Sequence, residues 1–152
     1  MNIGELAKQA GCPVETVRYY EREGLLAEPE RSPSGYRRYR AEHLEELHFI
    51  RHCRSLDMSL AEIRCLLDFR HHPERRCGEI DALLDRHIAQ LHERLAQLQR
   101  LEVQLSALRE RCGLDRPAAE CGILQSLNAA AEGQACACHP KGGSAGDGEE
   151  SR

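Results

Sequence analysis

The apolar positions of the chain recur mainly at helical spacing. Ile3, Leu6 and Ala7 share one face of a helix predicted over 3–10, which Gly11 can stop. Pro13 suits the first turn of a second helix running to Arg22, with Val14, Val17 and Tyr20 turned inward and Gly24 ending it. Two short helices joined by a tight glycine-containing turn predict a helix-turn-helix. Residues 28–35 carry turn chemistry, and the alternating Tyr36-Arg37-Arg38-Tyr39 predicts one arm of a β-hairpin. Helices are expected next over 41–56, with Leu44, Leu47, Ile50 and Cys53 at three-residue steps, and over 59–70. Ser59-Leu60-Ala61-Glu62 has the form of a capping box, and Pro73 breaks the pattern.

A different pattern follows. From Cys77 to Arg111 there is no proline, and the one glycine, Gly78, sits in the first turn. Leu84, Leu91, Leu98 and Leu105 repeat every seven residues with Ile88 and Leu95 between them, a heptad seam that Glu102 interrupts. Gly113 stops this helix, a loop with Pro117 leads to Cys121, and a single helical turn is expected over 123–127. The expected fold is therefore mostly α. A helix-turn-helix domain occupies 1–72, a dimerisation helix 73–112, a loop and short helix 113–128, and a small polar tail, predicted to be disordered, 129–152.

Composition narrows the function. With 152 residues the chain is too short for a barrel or doubly wound enzyme. It contains no phosphate loop, nucleophile elbow or paired catalytic carboxylates, so an enzyme is not expected. No apolar run has the length of a membrane span, and the first residues lack the features of a secretory signal; a cytoplasmic protein with no membrane partner is expected. There, eight cysteines point to reduced thiols, metal ligands or redox sensing rather than disulfides. All but two of the 21 Lys and Arg residues are Arg, suited to bidentate phosphate contacts. All six Tyr and Phe residues precede residue 70, which locates the packed domain in the first half.

Two constellations carry chemistry. Glu15, Thr16, Arg18 and Tyr19 lie on the polar face of the second helix, and Arg31, Arg37, Arg38 and Arg40 give residues 31–40 a local charge of +4, although acids and bases nearly balance over 1–70. A DNA reader and an ordinary solvated Arg cluster both fit that pattern. The cysteines decide more. Cys77 is seven residues before Leu84 and Cys112 seven after Leu105, so both share the seam register, about 50 Å apart along one helix. An antiparallel homodimer that matches Leu84 with Leu105 of its second copy sets Cys77 of one chain beside Cys112 of the other, and the loop returns Cys121 to the same end. Three thiols would gather at each end, soft ligands for a soft or borderline ion. Cys12, Cys53 and Cys65 read as packing residues. Cys136, Cys138 and His139 have ligand chemistry for an accessory site in the tail, with His87 as a further candidate.

The chain resembles the MerR family of metal-responsive transcription regulators. The resemblance rests on Ile-Gly-Glu-Leu-Ala at 3–7, Val-Glu-Thr-Val-Arg-Tyr-Tyr-Glu at 14–21, Gly-Leu-Leu at 24–26, Gly-Tyr-Arg-Arg-Tyr at 35–39 and His-Cys-Arg-Ser-Leu-Asp-Met-Ser-Leu-Ala-Glu-Ile-Arg at 52–64, and covers about residues 1–127. Cys77, Cys112 and Cys121, with Cys-Gly-Ile-Leu-Gln-Ser-Leu after the loop, are similar to the lead- and cadmium-responsive branch. The resemblance implies a winged helix-turn-helix with an antiparallel coiled-coil dimerisation helix and a C-terminal metal-binding loop. Arg18 and Tyr19 would lie on the recognition helix, and Tyr36, Arg37 and Arg38 on the wing. It implies Cd(II) or Pb(II) as effector, with Hg(II) and Zn(II) as alternatives, three thiolates leaving a site charge of −1, and Asp81 as a possible fourth ligand. It also implies a mechanism, in which the dimer binds a pseudo-palindromic operator in promoter double-stranded DNA and the metal-bound form distorts that DNA so that RNA polymerase can activate resistance genes. A mercury-responsive regulator, a thiol-redox-responsive factor and a metal buffer that binds no DNA remain as rivals.

Overall fold

A computed structural model of the protein describes residues 1–139. It forms two compact units, Met1–His87 and the chain from Ile88 onward.

In the first unit, α1 (Ile3–Ala10) starts at a capping box: the Asn2 side chain accepts the Glu5 amide at 2.9 Å, and the Glu5 carboxylate accepts the Asn2 amide at 2.8 Å. Gly11, at φ 66°, takes the left-handed conformation that turns the chain back. Helix α2 (Val14–Arg22) begins one residue later than predicted, because Pro13 stands outside it as an extended cap. Strands β1 (Glu30–Arg31) and β2 (Arg37–Arg38) form an antiparallel hairpin with Glu30 opposite Arg38 and Arg31 opposite Arg37. Within its turn the Ser32 hydroxyl accepts the Tyr36 amide at 3.1 Å. Helices α3 (Ala41–Ser55) and α4 (Leu60–His71) follow. The expected capping box holds α4: Ser59 Oγ accepts the Glu62 amide, and Glu62 Oε1 accepts the Ser59 amide at 2.9 Å. Leu6, Val17, Leu26, Leu47, Ile50 and Ile63 are fully buried at the centre of this unit. Each side chain of this size contributes about 1.5–3 kcal/mol on burial.

Helix α5 (Gly78–Arg109) is unbroken for 32 residues, about 48 Å of rise. Its first ten residues belong to the first unit, where Leu83 and His87 are buried. The compact unit therefore runs on into α5, while the 72/73 boundary expected from Pro73 falls in the break between α4 and α5. Beyond His87, the heptad stripe is solvent-facing on the single chain at Ile88, Leu95, Leu98 and Leu105, from 49% exposed at Ile88 to 64% at Leu105, with Leu91 half-buried.

In the second unit the loop after α5 contains a short 3-10 turn, Ala118–Glu120, and leads into α6 (Gly122–Ala131). That helix is longer than the predicted 123–127, since Ala129–Ala131, strong helix formers, continue it past 128. The predicted disorder from 129 thus gives way to helix and then to a closed turn. The Gln134 amide donates to the Ala129 carbonyl at 2.8 Å, and Cys136 and His139 form an antiparallel bridge. Residues 140–152, the rest of the expected tail, lie outside the described residues. Among the described residues no helix is long and apolar enough to cross a membrane.

Candidate metal centre and nucleic-acid interface

Two of the three expected ligand thiols come together. Cys112 lies just beyond α5, where its carbonyl accepts a hydrogen bond from the Arg109 guanidinium and its thiol donates to the Leu114 carbonyl at 3.3 Å. Cys121 occupies the N-cap position of α6. No capping hydrogen bond of full length forms there, yet the Leu124 amide above all, then the Ile123 amide, the Cys112 thiol and the Arg116 charge, hold the Cys121 thiol below its ordinary range. Partial desolvation opposes this shift.

What closes the loop is Gly122, which sequence reasoning passed over. A Cβ on Gly122 would lie 2.2 Å from the Arg111 carbonyl oxygen, so only glycine lets the backbone at the start of α6 approach the end of α5 this closely. Cys121 is held next to Cys112 by that approach.

Cys77 belongs to the first unit. It immediately precedes α5, its side chain is exposed, and its carbonyl accepts the amides of Ile80 at 3.0 Å and Asp81 at 3.2 Å. Arg75 fastens this segment to α4: its guanidinium lies 4.1 Å from the Phe69 ring centroid and pairs with Asp68 and Glu79. Asp81 is exposed in the first turn of α5. Among the described residues of the single chain no three His, Cys, Asp or Glu side chains form a group able to hold a metal ion.

The tail residues make a separate turn. Cys136 is buried, and its sulfur accepts the Cys138 amide at 3.4 Å. The Cys138 thiol, by its hydrogen bond, lowers the pKa of Cys136, and the same bond raises that of Cys138. His87 is already engaged, with Nε2 3.0 Å from the Leu56 carbonyl oxygen and Nδ1 3.0 Å from Glu62 Oε2. Of the packing cysteines, Cys53 is buried and Cys12 half-buried, and desolvation raises both thiols above their ordinary value.

On the first unit, Glu15, Arg18 and Tyr19 face solvent from α2 with Thr16 half-buried, and Tyr36, Arg37 and Arg38 are exposed on the hairpin. The +4 cluster is less free than its sequence suggests. Arg37 lies 3.5 Å from Glu21 and Arg40 2.6 Å from Glu30, while among the described residues Arg31 and Arg38 make no ion pair. Glu21 also accepts the hydroxyl of buried Tyr39 at 2.5 Å, which fixes the base of the hairpin to α2. Burial, followed by this hydrogen bond, raises the Tyr39 pKa.

Residues 1–69 match the family described as MerR HTH family regulatory protein, and residues 44–108 match that described as MerR, DNA binding. An HTH-type transcriptional regulator from Haemophilus influenzae, named a ZntR homolog, is 45% identical over 111 residues, which span 73% of this chain and 82% of that one. The chain belongs to the MerR family. MerR regulators are not enzymes; they bind promoter DNA as dimers and contact RNA polymerase. Two solved MerR-type structures are similar to this one. The transcription regulator PbrR691 from Ralstonia metallidurans CH34, in complex with lead(II), is 54% identical with a TM-score of 0.78, covering 84% of this chain and 98% of its own. The dual function regulator MerR from Bacillus megaterium MB1, in complex with mercury(II), is 34% identical with a TM-score of 0.64, covering 84% and 99%. This MerR-family chain is accordingly a metal-responsive transcription regulator of the DNA-binding type.

Proposed function

We propose that the protein is an activator of heavy-metal resistance genes whose effector is Pb(II) or Cd(II), held by Cys112 and Cys121 of one chain and Cys77 of the partner chain. The observation that carries this reading is the Cys112–Cys121 pair at the start of α6. One of its thiols is already biased toward the thiolate that soft cations require, so the donor set fits such an ion. The unbroken α5 between Cys77 and Cys112 supports a site shared by two chains, and the exposed heptad stripe supports the antiparallel pairing that would form it. Similarity to a lead(II)-bound regulator favours Pb(II). Cd(II), which prefers a fourth donor, directs attention to Asp81, one turn after Cys77.

The chain's own residues act as follows. The polar face of α2 (Glu15, Thr16, Arg18, Tyr19) reads the major groove, and the hairpin (Tyr36, Arg37, Arg38) contacts the flanking backbone. Cys77 is part of the DNA-binding unit, whereas Cys112 and Cys121 belong to the dimerisation unit. When bound, the ion supplies a crosslink between these two kinds of unit. The crosslink favours the dimer geometry that distorts promoter DNA, a deformation costing on the order of 1–6 kcal/mol.

Similarity to a mercury(II)-bound regulator sustains a second reading, Hg(II) as effector with the same thiols. A promoter-reporter titration with Pb(II), Cd(II), Hg(II) and Zn(II) separates them. Strongest induction is expected with Pb(II) or Cd(II), abolished by Cys77→Ser, Cys112→Ser or Cys121→Ser while operator binding survives. A response confined to Hg(II) refutes the metal assignment, normal induction of the Cys77→Ser protein refutes the shared site, and activation by a metal-free oxidant supports a redox sensor instead. Truncation after Gly133 in the same assay tests an accessory role for Cys136, Cys138 and His139.

A further inference from the structure

His87 is one of two buried polar residues among the described residues, at 7% exposure, and the last residue of the first unit. Its two ring nitrogens face different partners. Nε2 is 3.0 Å from the Leu56 carbonyl oxygen at the C-cap of α3; Nδ1 lies 3.0 Å from Glu62 Oε2 without forming a hydrogen bond. The other Glu62 oxygen accepts the Ser59 amide of the α4 capping box. The ring thus sits between two fixed points of the α3–α4 corner, the Leu56 carbonyl and the Glu62 carboxylate. One turn earlier on α5, Leu83 is buried too, at 4% exposure. Leu83 contributes only non-directional packing, which tolerates sliding and rotation of α5. Directional contacts from a buried histidine do not.

We propose that the His87–Glu62 pair is the joint through which the metal state of the dimerisation unit biases the DNA-binding unit. His87 is here a positioning residue and touches neither metal nor DNA. The inference rests on the metal-responsive reading above. Beside its direct hold on Cys77, a crosslink that shifts α5 acts on the first unit through the contacts α5 makes with it. Of the ten α5 residues in that unit, His87 reaches the α3 C-cap and α4 through these two contacts, and Glu79 is tied to Arg75 in the segment between α4 and α5. A contact with two discrete states, made or broken, converts a small shift of a helix into a change of population.

The test uses the full-length dimer and four measurements: thermal stability, Cd(II) affinity from the thiolate-to-metal absorption band, metal-free affinity for the duplex that the wild-type protein selects from a random pool, and the Cd(II)-induced transcription ratio from a promoter carrying that duplex. Glu62→Gln is expected to keep Cd(II) affinity and metal-free DNA affinity within about twofold, while the induced ratio falls about 2- to 30-fold, the range of coupling changes found along such networks. Because Glu62 also caps α4, His87→Gln is the second variant: it leaves the cap intact and is expected to give the same uncoupling. Lowered stability and metal-free DNA affinity with an unchanged induction ratio would show an ordinary packing role and overturn the proposal. A wild-type protein that shows neither the absorption band nor induction overturns the metal reading and this inference with it. A responsive wild type with equally responsive variants overturns this inference alone.

Discussion

Cys121 and Cys12 show how the same side chain acquires different chemistry from its surroundings. The amides at the start of α6 and the neighbouring thiol draw Cys121 toward the thiolate, whereas burial, only partly offset by Arg51, moves Cys12 the other way. A depressed pKa enlarges the thiolate fraction at any given pH below the ordinary range, and a raised one shrinks it. Since the thiolate is the nucleophile, alkylation of the metal-free protein followed by mass spectrometry across pH 6 to 10 should show Cys121 with a midpoint below the free-thiol value of roughly 8.5 and Cys12 above it. Equal midpoints at the two positions would remove the electrostatic argument for Cys121 as a ligand. Sequence spacing identifies Cys121 as a loop cysteine, but the amides that tune it come from the orientation of α6, which spacing does not encode.

Among the elements, α6 depends on one backbone contact. Gly122→Ala inserts a methyl group 2.2 Å from the Arg111 carbonyl oxygen, and relief requires the loop to move away from α5. Overpacking of this kind costs about 1–3 kcal/mol, here paid in the distance between Cys121 and Cys112. Weaker Cd(II) or Pb(II) binding by the Gly122→Ala protein is expected in a competitive chelator titration, with the metal-free operator affinity and the dimer unchanged; wild-type metal affinity would show that the close approach is incidental. Most elements were legible from local signals: the heptad of α5, the capping box at Ser59, Gly11 as a stop. What escaped were contacts between residues distant in sequence. Glu21 holds Arg37 and Tyr39 across 16 and 18 residues, and His87 reaches back 31 residues to Leu56. Periodicity reports which face of a helix is buried, never which partner waits there. That is why the hairpin arginines read as an unopposed charge and His87 as a spare ligand.

For the whole molecule, the proposed site makes a prediction that no single-chain site makes. In an antiparallel dimer, a Cys77→Ser chain paired with a Cys112→Ser chain loses both faulty positions at one end and keeps a complete set of thiols at the other. Each homodimer should bind no ion tightly, whereas the mixed dimer, unfolded and refolded together, should recover one high-affinity ion per dimer, counted by native mass spectrometry. Failure of the mixture to regain binding would point to ligands drawn from one chain, or from a parallel pair.

The length of α5 has a further consequence. With Cys77 and Cys112 at opposite ends of an unbroken 32-residue helix, the proposed shared site would make effector and second chain linked ligands, each stabilising the binding of the other by mass action. The metal concentration at half response should then fall as the concentration of regulator rises, until every chain is dimeric. Copy number would set the detection threshold as well as promoter occupancy, so a cell could tune its sensitivity to a toxic ion by expression level alone, without changing a single ligand.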